Sequence, residues 1–270
     1  MPSLERSVPA ALCRVAGEIG LDSVGREPRP TPDEADRVLE TAVTAISCLE
    51  GYGRLRLALI DGGSAGDRDD AILASDHLHA SAYATVADLP APDRRRLECY
   101  RHLVDGSTAL ACTLQATDDD RVADDRHSAG PTIAETASAV GAAATGVPTE
   151  TRTALQRYSH AVMTALAIRA AVTDGVDPRA SAARVLADGS SATTPNDGAE
   201  ADDSFRHVEP AVERHLERAR SALATVVDSV DRGSTGPTDA SLADEDEPTP
   251  LERLERATRT PFHHAATDDE

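Results

Sequence analysis

The chain has 270 residues, which is long enough for one large helical domain or two small ones with a substantial core. It carries 47 acidic against 27 basic residues, a formal net charge of -20, and all of those basic residues are arginines. Such a balance argues against binding to nucleic acid, whose phosphates require clustered cations, and against anionic membranes.

The high negative charge allows two interpretations, which are disorder and adaptation to salt. Hydrophobic residues make up 40% of the chain and recur in periodic blocks, which favours a folded protein. In molar salt the Debye length falls to about 3 Å, so a dense carboxylate surface no longer repels itself strongly. We therefore predict a halophilic source.

The N-terminal segment, residues 1–30, is predicted to form a helix and a loop. Charges interrupt its apolar stretch, which argues against a signal peptide, and no apolar run approaches a membrane span. The four cysteines show no CxxC spacing and are expected to be small core residues in a reducing compartment. We therefore expect a cytoplasmic protein without a membrane span. These cysteines are Cys13, Cys48, Cys99 and Cys112.

Residues 31–230 are predicted to form a helical bundle. Thr31-Pro32-Asp33-Glu34 is a helix start signal, with proline and acidic residues in the first turn. Further helices are expected near 69–88, 93–116, 132–146, 150–174 and 205–230, with a flexible linker at 189–203. The fold class is therefore predicted to be all-α, a single bundle of seven or eight helices.

Residues 231–270 are predicted to comprise an acidic linker, a short helix near 250–259 and a disordered tail. Two features suggest chemistry only weakly. The aspartates of residues 118–125 could bind Mg²⁺, but such runs are expected on the loops of an acidic protein. His77 and His79 lie two residues apart on a predicted helix, so they point to different faces and cannot share a metal.

Three segments, in this order and spacing, resemble the all-helical isoprenyl (polyprenyl) diphosphate synthase family. Ala71–Tyr83 resembles that family's AILAGDxLxxxAF helix, with Ser75 in place of glycine. The segment from Glu135 to Ala143 resembles KTAxLFxxA, and the segment from Tyr158 to Asp174 resembles YGxxLGxAFQIxDDxxD. The resemblance implies the isoprenoid synthase fold.

The departures from the family motifs bear on activity. In the family, Mg²⁺ ions held by two aspartate-rich motifs neutralise the diphosphate leaving group. Here two of the three carboxylates of the second motif are Ala170 and Ala171, with Asp174 retained. The segment where the first motif is expected, 48–60, has a single acid, and the family's diphosphate-binding lysine is Glu135.

Three interpretations follow from this pattern. The first is a non-catalytic accessory or regulatory relative in isoprenoid biosynthesis, without metal or other cofactor, which forms a homodimer or a heterodimer with an active prenyl synthase. The second is an active transferase with displaced ligands, which alone would require Mg²⁺. The third is an unrelated helical interaction protein. The residual family positions that could contact a ligand are Arg54, Arg56, Asp76, Thr136 and Asp174.

Overall fold

The computed structural model describes residues 7–22, 30–62, 68–116, 129–172, 177–189, 203–233 and 248–262, without the side chains of 203–207 and 233. Over these ranges the chain forms nine α-helices and no strand. They are α1 (Val8–Asp22), α2 (Pro32–Ile60), α3 (Arg68–Ala87), α4 (Asp93–Ala116), α5 (Ala129–Thr145), α6 (Thr149–Ala170), α7 (Pro178–Asp188), α8 (Asp203–Gly233) and α9 (Pro250–Ala257), with a 3-10 turn at Thr260–Phe262. None of the helices described is both long and apolar enough to cross a membrane.

Several helices begin at capping motifs that are visible in the sequence. At α2, the Thr31 side chain accepts a hydrogen bond from the Glu34 backbone and the Glu34 carboxylate accepts one from Thr31. The same reciprocal pair forms between Thr249 and Glu252 at the start of α9. Both satisfy backbone N–H groups that a helix start leaves without partners. The start predicted at Pro32 is thus confirmed.

Helix α5 is the centre of the bundle and packs against α1, α2, α4 and α6. Fourteen of its 17 residues are buried, and most are alanine, glycine, serine or threonine. Small side chains let neighbouring helices approach closely. A Cβ atom at Gly141 would lie 2.0 Å from the carbonyl oxygen of Cys13 in α1, so only glycine fits at this crossing.

Helix α9 is held against three other helices by buried hydrogen bonds and an ion pair. The hydroxyl of Tyr158, in α6, donates to the carbonyl of Leu254 at 2.6 Å. Arg253 donates to the carbonyls of Leu186 (3.1 Å) and Ala187 (3.0 Å) in α7 and pairs with Glu18 of α1. Residues near the end of the chain therefore complete the core formed by α1, α6, α7 and α8.

The region after α6 differs from the prediction. The helix expected to reach residue 174 ends at Ala170, and an additional helix, α7, follows. Pro178 opens α7, because its fixed φ suits the first turn of a helix, and the Asp177 side chain caps that turn by accepting a hydrogen bond from the Arg179 backbone N–H. The described ranges thus hold nine helices where seven or eight were expected.

The division of the chain into three segments, 1–30, 31–230 and 231–270, stays a prediction. Helix α1 packs on α5, and 11 of its 15 residues are buried. The linker prediction at 189–203 falls almost wholly on 190–202, outside the described residues, while Gly189 ends α7 and Asp203 begins α8. The short helix near 250–259 is confirmed as α9.

Candidate functional site

The two arginines that the family resemblance singles out on α2 are both engaged by carboxylates. Arg54 contacts Glu50, one turn earlier on α2, at 2.5 Å. The same carboxylate accepts a hydrogen bond from Ser7 at 2.5 Å, and its residue is only 9% exposed. Glu50, the single acid in the segment expected to hold the first aspartate motif, therefore ties α2 to the start of the described chain.

Arg56 faces α3, where its guanidinium contacts the Asp76 carboxylate at 2.5 Å. It also lies over the ring of Tyr52, 5.7 Å from the ring centroid. Asp76 remains largely exposed, with 59% of its side chain accessible. The structure thus brings two of the predicted ligand-binding residues together as an ion pair between helices.

A column of aromatic rings continues from this ion pair across α2, α3 and α4. Tyr52 stacks on His79 with ring centroids 4.6 Å apart, and His79 meets the edge of Tyr83 at 5.2 Å. Tyr83 in turn stacks with Tyr100 at 6.2 Å. The hydroxyl of Ser107 on α4 lies 3.2 Å from Nε2 of His79 and 3.1 Å from the Tyr83 hydroxyl.

Burial in this column lowers the pKa of His79 below its ordinary value, while nearby Asp76 acts in the opposite direction. The sequence pattern pointed to His79 only as a weak candidate metal ligand and did not reveal the column. The sequence offered one clue to the column, which is the scarcity of aromatic residues. The chain has only four tyrosines, and three of them lie in this column.

Thr136 lies in the interface between α4 and α5 and is 5% exposed. Its hydroxyl donates to the carbonyl of Thr132 in its own helix. A Cβ atom at Gly106 would lie 2.1 Å from that hydroxyl oxygen, so the α4–α5 approach depends on this glycine. Thr136 is therefore a packing residue of the α4–α5 interface, and Gly106 opposite it precedes Ser107, which contacts the aromatic column.

Glu135 occupies the position of the family's lysine and faces α6. Its carboxylate lies 3.2 Å from Nδ1 of His160, and both side chains are about half exposed, at 45% and 50%. His160 also acts electrostatically on His215 of α8. The pKa of His215 is lowered first by burial and then by the charges of Arg218, His160 and Arg214. The position where the family resemblance implies a diphosphate-binding lysine thus carries a carboxylate beside a histidine.

The described residues include only part of the positions where the family resemblance implies Mg²⁺ ligands. Among the described residues, no three His, Cys, Asp or Glu side chains gather closely enough to hold a metal ion. Ala170 ends α6, and its methyl group stands where a carboxylate ligand is expected. Asp174 and residues 118–125 lie outside the described residues.

Comparison with known proteins supports the fold. No protein-family model matches the chain, and no curated protein matches it. Among solved structures, a polyprenyl synthetase from Streptomyces coelicolor A3(2) superposes with a TM-score of 0.51 at 15% identity, over 93% of this chain and 83% of that chain. The predicted fold class, an all-α bundle resembling the isoprenoid synthase fold, is confirmed. At this identity the comparison establishes the fold alone.

Proposed function

We propose that this protein is a non-catalytic, prenyl-synthase-like partner of an active prenyl synthase in isoprenoid biosynthesis. The observation that carries the proposal is the Glu135 carboxylate, 3.2 Å from His160 on α6. A carboxylate repels a diphosphate where the family's lysine would attract one. The proposed role is accessory or regulatory.

The other charged positions support the same proposal. The Arg54 and Arg56 guanidiniums are neutralised by Glu50 and Asp76, so neither is available to a diphosphate without breaking an ion pair. In a transferase these groups would stabilise the departing pyrophosphate, which is a major part of the catalysis.

A turnover assay tests the absence of catalysis. The purified chain is incubated with an allylic diphosphate, isopentenyl diphosphate and Mg²⁺ in molar KCl, and released pyrophosphate is measured. We expect no release above the buffer blank. Magnesium-dependent turnover would overturn the proposal and favour an active transferase with displaced ligands.

The role of Glu135 is tested by reversing its charge. We expect Glu135→Lys to raise the affinity for geranyl diphosphate about tenfold over wild type, because a repulsive contact becomes an attractive one. Glu40→Lys makes the same change at an exposed site on α2 and serves as the matched control. Equal gains in the two variants, measured by calorimetry, would mean that net charge and not position determines binding.

The partner surface is proposed on α3 and α4. Leu73 is 67% exposed, and Leu97 (50%) and Val104 (49%) lie seven residues apart on one face of α4. Helix α3 buries only Ser75, Ala82 and Val86, so much of its surface lacks a neighbour in the described bundle. These exposed apolar side chains, on helix surfaces with few described neighbours, support placing the partner surface here.

Co-expression with a prenyl synthase from a salt-grown host tests the pairing. We expect co-purification as a heterodimer by native mass spectrometry, abolished by Leu97→Arg with Val104→Arg. Ala224→Arg, on the exposed face of α8, is the control. A homodimer that forms while the prenyl synthase stays unbound would contradict the heterodimer.

A further inference from the structure

A second charged region lies where α5 ends and α6 begins, about three helical turns from Glu135. The starts of α4 and α6 flank an open cleft of about 450 Å³, lined by Arg94, Arg95, Glu98, Pro148, Thr149 and Arg152, among others. We call it the arginine cleft. Its volume falls within the range of about 300–1,000 Å³ that is usual for small-molecule sites.

The arginine cleft is distinct from the site discussed above. Eleven residues of α5 and its following turn separate Glu135 from Gly146, which is about 16 Å at the rise of an α-helix. His160 lies equally far from Thr149 along α6. A ligand in the arginine cleft therefore does not contact the Glu135–His160 pair.

The charges that line the cleft are mostly positive in a chain whose net charge is -20. Glu98 bridges two of the three guanidiniums, contacting Arg152 at 3.2 Å and Arg94 at 3.5 Å. Arg152 is 9% exposed and also donates to the Thr149 hydroxyl at 3.2 Å, so its orientation is fixed. One carboxylate against three guanidiniums leaves a net positive cleft.

Arg95 is the arginine of the cleft that forms no direct ion pair within the described part of the chain. Its side chain is partly buried, and it has no ion pair or hydrogen bond with any residue in the described ranges. Burial lowers the pKa of this guanidinium, while Glu98 acts in the opposite direction. A partly desolvated guanidinium whose N–H donors have no direct acceptor can bind an anion, and its fork of donors fits a phosphoryl group.

The backbone at the start of α6 also favours the binding of an anion. Pro148 is the N-cap residue of α6 and provides no side-chain hydrogen bond, so the first N–H groups of the helix remain uncapped. The N-terminal end of a helix carries a partial positive charge. Gly146, with φ of +80°, forms the turn that brings this helix end beside the arginines of α4.

We propose that the arginine cleft binds the phosphoryl group of a small, freely diffusing phosphorylated compound, with Arg95 as the principal ligand and Arg152 as its buried neighbour. The excess of guanidiniums over carboxylates, the fixed orientation of Arg152 and the size of the cleft all favour a compact multivalent anion. The negative charge of the chain as a whole disfavours a lipid headgroup as the source, because an anionic membrane surface would repel it.

Calorimetric titration of the intact protein with inorganic pyrophosphate, at a fixed KCl concentration, tests the proposal. We expect Arg95→Ala to weaken binding at least about tenfold, since a charge-assisted contact is lost. Arg101→Ala removes the same charge from an exposed position on α4 outside the cleft and is expected to leave the affinity within about twofold of wild type. Circular dichroism of both variants checks that the fold is retained.

A second variant changes the affinity in the opposite direction. Glu98→Gln removes the carboxylate from the cleft while keeping its shape, so we expect tighter pyrophosphate binding. Absence of binding by wild type at millimolar pyrophosphate, or equal losses in Arg95→Ala and Arg101→Ala, would overturn the proposal. Binding to phosphatidic acid vesicles without binding to pyrophosphate would also overturn it, because the ligand would then be a membrane surface.

Discussion

At the scale of single residues, the aromatic column provides packing contacts for α3, which buries few large apolar side chains. That helix has few large apolar residues facing the core, and only Ser75, Ala82 and Val86 are buried. His79 and Tyr83 are one turn apart, and they contact Tyr52 of α2 and Tyr100 of α4. Aromatic pairs stabilise by about 0.5–1.5 kcal/mol beyond the area they bury. The column therefore anchors α3 to both neighbouring helices.

The titration of His79 predicts a pH dependence. Burial lowers its pKa in the folded chain, so the unfolded chain binds the proton more readily. Its contribution to the free energy of unfolding is therefore complete above about pH 6.5 and is lost as the pH falls toward the folded-state pKa. We expect His79→Phe, which keeps a ring against Tyr52, to reduce the loss of stability between pH 7.5 and 5.5.

Chemical denaturation at several pH values measures the slope of the free energy of unfolding against pH. His77→Gln is the matched control, because His77 lies on the same helix with an exposed side chain. The assignment to His79 would be wrong if the two variants showed equal slopes.

Local spacing could have predicted only part of this site. The Arg54–Glu50 contact spans four residues of one helix, so it is available from the sequence. The Arg56–Asp76 pair joins residues 20 apart on different helices and depends on the rotation and register of α2 against α3. Single-sequence periodicity does not determine that register. The family resemblance named Arg56 and Asp76 as ligand-binding candidates but did not predict that they pair with each other.

At the scale of elements, helix starts were predictable and one helix was missed. Thr31, Pro32 and Glu34 form a local signal whose physics is complete within four residues. Helix α7 has equally local signals in Asp177, Pro178 and Gly189, but only 11 residues and a short apolar face. Its formation depends on burial against α1 and α9, which the sequence does not display.

The close crossing of α1 and α5 predicts that a methyl group added at Gly141 strongly lowers stability. A Cβ at position 141 would meet the backbone of Cys13 at 2.0 Å, and backbone atoms cannot rotate away. We expect Gly141→Ala to lower the free energy of unfolding by about 1–3 kcal/mol or more, despite the higher helix propensity of alanine. Denaturant titration measures the change.

Gly51→Ala is the matched control for this crossing. Its Cβ would meet only the tip of the Leu78 side chain, at 2.9 Å, and that side chain can move. We expect little loss there, or a small gain from helix propensity. A Gly141→Ala variant as stable as Gly51→Ala would show that the helices can separate without cost.

The attachment of α9 predicts that removing the Tyr158 hydroxyl lowers the stability of the fold. Tyr158 is fully buried, and its hydroxyl donates to the Leu254 carbonyl at 2.6 Å. We expect Tyr158→Phe to cost about 1–2 kcal/mol, since the carbonyl stays buried without its partner. Tyr52→Phe removes a hydroxyl but keeps the stacked ring, and is expected to change stability by less than half as much. Thermal unfolding distinguishes the two, and equal melting temperatures would contradict the role assigned to Tyr158.

At the scale of the whole molecule, charge and core have different roles. The core is built largely from alanine, valine and leucine, whereas most of the described ion pairs lie at least partly exposed on the surface. Exposed pairs of this kind contribute about 0–1 kcal/mol each. They cannot offset the mutual repulsion of 20 excess negative charges when salt is low. The halophilic source predicted from composition therefore has a direct test.

We expect the helical circular dichroism signal to be lost on dialysis from molar KCl to about 0.01 M salt, where the Debye length lengthens from about 3 Å to about 30 Å. Replacing Glu40, Asp105 and Glu217 by their amides removes three exposed negative charges and should shift the KCl concentration at half-unfolding downward. Arg101→Gln, which makes the chain more negative, should shift it upward. If the midpoints of these variants coincide with that of wild type, salt acts through apolar burial and not through charge screening, because only screening depends on the number of surface charges.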